Sequence, residues 1–82
     1  MEVKVLGPGC AKCKKLYEQV DQSIKQLGLN ANLVKVEKIH EIIRFGVLAT
    51  PALVINGEVK VAGRLPNAAE LTNWLTTAAM AE

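Results

Sequence analysis

The chain has 82 residues, 50% of them hydrophobic and 22% charged, with a net charge of +2 from 10 basic and 8 acidic side chains. That length is read as a single domain (1–82) with a thin core, because a chain of this size buries only about 60% of its unfolded surface, and the composition excludes disorder. Interspersed charges and three aromatic residues make poor material for a nucleic-acid surface.

Glu2-Val-Lys-Val-Leu6 is a strand by its β-branched content and partial alternation, broken by Gly7-Pro8-Gly9. Leu16, Val20, Ile24 and Leu27 then recur at helical spacing, which predicts a helix from Cys10 or Ala11 to Leu27 with Gly28 just past its end and Leu29 for the accompanying apolar contact. Asn32 to Val36 is a second strand. Glu37 to Phe45 is a short helix with Ile39, Ile42 and Ile43 on one face, stopped by Gly46. Pro51 to Ile55 and Glu58 to Val61 are β-rich runs joined by Asn56-Gly57, a two-residue hairpin signal because both residues tolerate positive φ. After a connector from Gly63 to Pro66, Asn67 with Glu70 resembles a capping box, and Leu71, Trp74, Leu75 and Ala78 line a last amphipathic helix. The order βαβαββα implies a parallel pair from the first crossover and an antiparallel pair from the hairpin. The expected fold is therefore α/β, a mixed sheet with helices on both faces.

No run approaches the roughly 20 apolar residues of a membrane span, and Met1-Glu2-Val3-Lys4 lacks the apolar core of a signal peptide. A cytoplasmic protein without membrane contact is expected. Permanent disulfides are rare in that compartment, which directs the two cysteines, Cys10 and Cys13, toward chemistry. A bridge over so short a loop would stabilise by only about 2 kcal/mol, less than the roughly 3 kcal/mol of a 15-residue loop.

Chemistry is also what their position offers. The pair stands in the first turn of the first helix, where unpaired backbone N–H groups and the positive end of the helix dipole favour thiolate over thiol. Lys12, Lys14 and Lys15 add positive charge around them. The pattern suits an activated nucleophilic cysteine with a second cysteine to resolve it. The competing reading is a soft-metal carrier, holding copper or zinc between the same two thiolates. Zinc prefers four protein ligands, and His40, in the second helix among charged residues, is read as a solvated side chain.

With the elements in this order, the chain resembles the thioredoxin fold, and is most similar to its small redox-active disulfide proteins. The carriers are Gly9-Cys10-Ala11-Lys12-Cys13-Lys14-Lys15-Leu16, then Gly46-Val-Leu-Ala-Thr-Pro51-Ala-Leu-Val-Ile-Asn-Gly57, then Gly63 before the last helix. The resemblance implies a four-stranded mixed sheet and a thiol–disulfide oxidoreductase without cofactor or metal, acting as a monomer. Its implied partners are a disulfide-containing protein and a reductase or other electron donor. Cys10 matches the exposed attacking thiol and Cys13 the more buried resolving thiol. Pro51 matches the cis-proline beside the disulfide, leaving the backbone of Thr50 to pair with an extended partner. Two departures stand out. The buried acid that many thioredoxins carry six residues before the first cysteine falls at Lys4, leaving Glu2 as a carboxylate candidate by proximity. Arg64-Leu65 stands where glutaredoxins have a Gly-Asp element for glutathione.

Overall fold

The computed structural model describes residues 1–81. The chain runs β1 (Glu2–Leu6), α1 (Ala11–Leu27), β2 (Asn32–Val36), α2 (Ile39–Arg44), β3 (Ala52–Ile55), β4 (Glu58–Ala62) and α3 (Ala68–Met80). The strands lie side by side as β2-β1-β3-β4. β1 pairs parallel with β2, Leu6 opposite Val36, and antiparallel with β3, Leu6 opposite Ala52. β4 returns antiparallel along β3 with a register shift between Leu53 and Val54. This is the expected mixed sheet.

Alternation along each strand divides the buried side chains between two faces. Val3, Val5, Leu53 and Ile55 pack with Leu16, Val20 and Ile24 of α1 and Leu71 and Leu75 of α3. Leu6, Ala52 and Val54 turn the other way, toward Val36, Ile42 and Val47. The larger core therefore lies under α1 and α3, and a smaller one under α2.

Local sequence determines the ends of these elements. Gly28, at φ 66°, ends α1 in the left-handed conformation. Its N–H donates to the Lys25 carbonyl and that of Leu29 to the Ile24 carbonyl, the paired bonds of a Schellman motif. Asn56 and Gly57 both take positive φ, 50° and 82°, as the tight hairpin requires. At α3 the Asn67 side chain accepts from the Glu70 N–H at 2.8 Å, and the Glu70 carboxylate accepts from the Asn67 N–H at 3.0 Å.

Three apolar expectations are corrected. Ile39 and Ile43 are more than half exposed while Ile42 is buried. At about 100° per residue the buried side of α2 is centred between Ile42 and Phe45, which rotates Ile39 and Ile43 toward solvent. Leu27 is also exposed, and Leu29, beyond the cap, packs on the core in its place. The helix itself begins at Ile39, capped by Lys38 without a side-chain bond, so Glu37 lies in the connection from β2 rather than in α2.

Candidate active site

β1 ends beneath the loop Gly7-Pro8-Gly9, which delivers the chain into α1 with Cys10 as its N-cap. The Cys10 sulfur accepts a hydrogen bond from the Cys13 backbone N–H at 3.1 Å, filling the place that a Ser or Asp oxygen usually occupies at a helix start. Cys10 and Cys13 are joined by a disulfide, with their Cα atoms 5.0 Å apart. Their environments differ. Cys10 is exposed, whereas Cys13 is 4% exposed and faces Gly7. A side chain at Gly7 would overlap the Cys13 sulfur and come within 2.8 Å of its Cβ, so this glycine is what lets the second cysteine sit against the end of β1.

The segment before β3 meets the same place. The Thr50–Pro51 peptide bond is cis. Thr50 is half-buried, and the Thr50 Cβ lies 3.8 Å from where a Gly7 Cβ would stand. The Gly63 N–H donates to the Pro51 carbonyl at 2.8 Å, and Gly63 takes a positive φ of 84°, where a Cβ would be strained and would stand a tight 3.1 Å from that of Ala49. The sequence reading passed over Leu48, which stands 97% exposed two residues before Thr50. An apolar residue outside every periodic pattern, close to the Thr-Pro step, was the available signal.

Lys12, Lys14 and Lys15 are all exposed along the first turns of α1, and its first turn holds no acidic residue. Lys14 also borders a cavity of about 40 Å³ behind Cys13, lined besides by Val5, Gly7, Gly9, Lys35 and Glu37. Two expectations about a carboxylate are overturned here. Lys4 lies on the opposite face, its Nζ 5.2 Å from the centre of the Phe45 ring, and the β1 residue that borders the cavity is Val5. Glu2 is at the far end of β1, where its backbone N–H donates to the Asn56 side chain at 2.9 Å and its carboxylate accepts from Asn32 at 2.8 Å. The carboxylate that borders the same cavity as Cys13 is that of the exposed Glu37, which the reading had placed in α2.

The electrostatics elsewhere concern stability. Arg64 binds Glu70 through both guanidinium nitrogens at 2.9 and 2.7 Å. These bonds, with the Asn67 backbone N–H, hold the Glu70 carboxyl down to about 2, and push the Arg64 guanidinium up. Among the described residues, no group of three or more His, Cys, Asp or Glu side chains converges on a common point. The metal-carrier alternative is thus left with two thiolates, and the geometry does not favour it.

A helix-start disulfide, one sulfur exposed and the other buried, on a four-stranded mixed sheet is the arrangement of a thioredoxin-like disulfide oxidoreductase. Residues 1–76 match the family model described as Thioredoxin domain. A thioredoxin of Methanothermobacter thermautotrophicus is 32% identical over 76 residues, covering 93% of this chain and 99% of that protein. A thioredoxin of Methanocaldococcus jannaschii is 32% identical over 73 residues, covering 89% and 84%. The chain belongs to the thioredoxin domain family. No helix among the described residues is long and apolar enough to cross a membrane.

Proposed function

We propose that the protein exchanges electrons with disulfide-containing protein partners through the Cys10/Cys13 dithiol. The Cys10 thiolate attacks one sulfur of the partner disulfide, forming a mixed disulfide and releasing the other partner sulfur as thiolate. Cys13 loses its proton and attacks the Cys10 sulfur. The Cys10–partner bond breaks, the Cys10–Cys13 bond forms, and two electrons have passed to the partner. A reductase or other donor returns them by the same steps in reverse.

The observation that carries this reading is the unequal exposure of two bonded sulfurs at one helix start. An exposed sulfur is open to a partner, and a buried one is shielded from it while remaining within reach of the first. In this reading Lys12 and Lys14 favour the Cys10 thiolate, and the partner lies along Thr50 and Pro51, with Leu48 as an apolar contact at its edge. The single domain acts as a monomer in a reducing cytoplasm, where a short-span cysteine pair serves as a redox couple rather than a staple.

A free-thiol count of purified protein, before and after reductant, with metal analysis alongside, tests the proposal. Reversible appearance of two thiols per chain without bound metal is the expected result. Thiols that stay reduced under an oxidant, or bound copper or zinc in stoichiometric amount, would overturn it.

A further inference from the structure

The cavity behind Cys13 contains a titratable group for which the exchange steps above have no role. Glu37 follows the last residue of β2, and the Val36 carbonyl there accepts a hydrogen bond from the Gly7 N–H at 2.9 Å. That bond holds the backbone just before Glu37 against the loop that enters α1, and the exposed Glu37 side chain borders the cavity. Two absent side chains open the route between carboxylate and thiol. At Gly9, φ 89°, a Cβ would stand 3.4 Å from Glu37 Oε2, and at Gly7 a Cβ would overlap the Cys13 sulfur. The space between is about 40 Å³, room for a water molecule, whose share of liquid volume is about 30 Å³.

Cys13 needs such a route. A buried thiol is a poor nucleophile until its proton is taken, and among the residues that border the cavity Glu37 carries the one carboxylate. The other charged groups facing it are Lys14 from α1 and Lys35 from β2, the latter 4.6 Å above the ring of Tyr17 of α1.

We propose that Glu37 is the proton acceptor for Cys13, reached through water in this cavity. As Cys13 Sγ attacks the mixed disulfide, its proton passes by way of that water to the Glu37 carboxylate, the Cys10–partner bond breaks, the Cys10–Cys13 bond forms and the partner leaves as thiolate. In the opposite direction the Glu37 carboxylic acid returns the proton to Cys13 as that sulfur departs. This inference rests on the oxidoreductase reading above.

Reduced protein mixed with dithiobis-nitrobenzoate in a stopped-flow instrument separates the two steps. The first thionitrobenzoate reports attack by Cys10 and the second reports resolution by Cys13. Glu37→Gln should leave the first phase unchanged and slow the second on the order of tenfold near neutral pH, less than a base in direct contact supplies because a water intervenes. The deficit should vanish above about pH 10, where the thiol ionises unaided, and Glu37→Asp should restore part of the rate. A carboxylate acting only through its charge would oppose the Cys13 thiolate, so its removal would speed the second phase. A faster or unchanged second phase, or one slowed equally at every pH as a structural defect would produce, overturns the role of Glu37. Wild-type protein that releases a single thionitrobenzoate and stops would overturn the oxidoreductase reading, and the Glu37 inference with it, a failure distinct from the others.

Discussion

Cys10 and Cys13 share a helix turn and a bond, yet the two sulfurs stand in different surroundings, one exposed and one buried. Cys10 caps α1 and receives the Cys13 N–H at 3.1 Å, with lysines and no acid in the turn that follows. In the reduced protein these groups favour the thiolate, so Cys10 should titrate below the roughly 8.5 of a free thiol and below Cys13. Alkylation rates against pH measure this. Lys12→Glu should move the Cys10 midpoint upward, and identical profiles in the two proteins would remove Lys12 from the account. The cysteines and their order were legible because strand, glycine break and apolar periodicity bracket them. The carboxylate was not. Locating Glu37 depends on where α2 begins, and Ile39 rather than Glu37 opens that helix. A shift of two residues moves a side chain by more than half a helical turn, and no local pattern distinguishes the two starts.

Each of the longer helices is held at one end by a few backbone bonds that single residues supply. α3 shows this most fully, since Asn67 and Glu70 cap each other and Arg64 grips the same carboxylate. Its folded acidity, about 2 against an ordinary 4.5, sets the sign of a pH effect. A depressed carboxyl contributes stability above its unfolded value and loses that contribution as pH falls through its folded one. Urea midpoints of wild type and Glu70→Gln should therefore differ at pH 6 and converge between about pH 4.5 and 2. The pair is solvent-accessible, so the difference should be modest, and one that persisted unchanged at pH 2 would contradict the assignment. The capping box and the Schellman cap of α1 could both be read in sequence because each uses residues three to five apart. The exposure of Ile39 and Ile43 could not, since six residues of helix leave their rotation to be decided by Phe45 and the sheet.

At the scale of the whole molecule, a thin two-faced core supports one exposed sulfur. Leu53, in β3 between β1 and β4, is fully buried in the cluster that joins α1 and α3 to the sheet. Leu53→Ala should cost about 2–5 kcal/mol in denaturant unfolding, a large share of what a domain of this size has. A loss below about 1 kcal/mol would mean that the core collapses around the gap. The mixed pairing followed from the alternation of elements, because a βαβ start gives a parallel pair and an Asn-Gly hairpin an antiparallel one, whereas the placing of β3 beside β1 was left to the closure of the sheet. The approach of Gly7 and Thr50 to each other at Cys13, with Glu37 on the same cavity as that cysteine, is a long-range outcome of that closure and leaves no mark in any short window of sequence. The division of labour between the sulfurs is the central claim, and trapping tests it most directly. Cys13→Ser and Cys10→Ser proteins are each reduced, freed of reductant and incubated at neutral pH with a disulfide-containing protein, and adducts are counted on non-reducing gels. Cys13→Ser should accumulate reductant-sensitive mixed disulfides through Cys10, and Cys10→Ser far fewer because its remaining thiol is buried. Equal trapping by the two variants, or none by Cys13→Ser, would contradict the account.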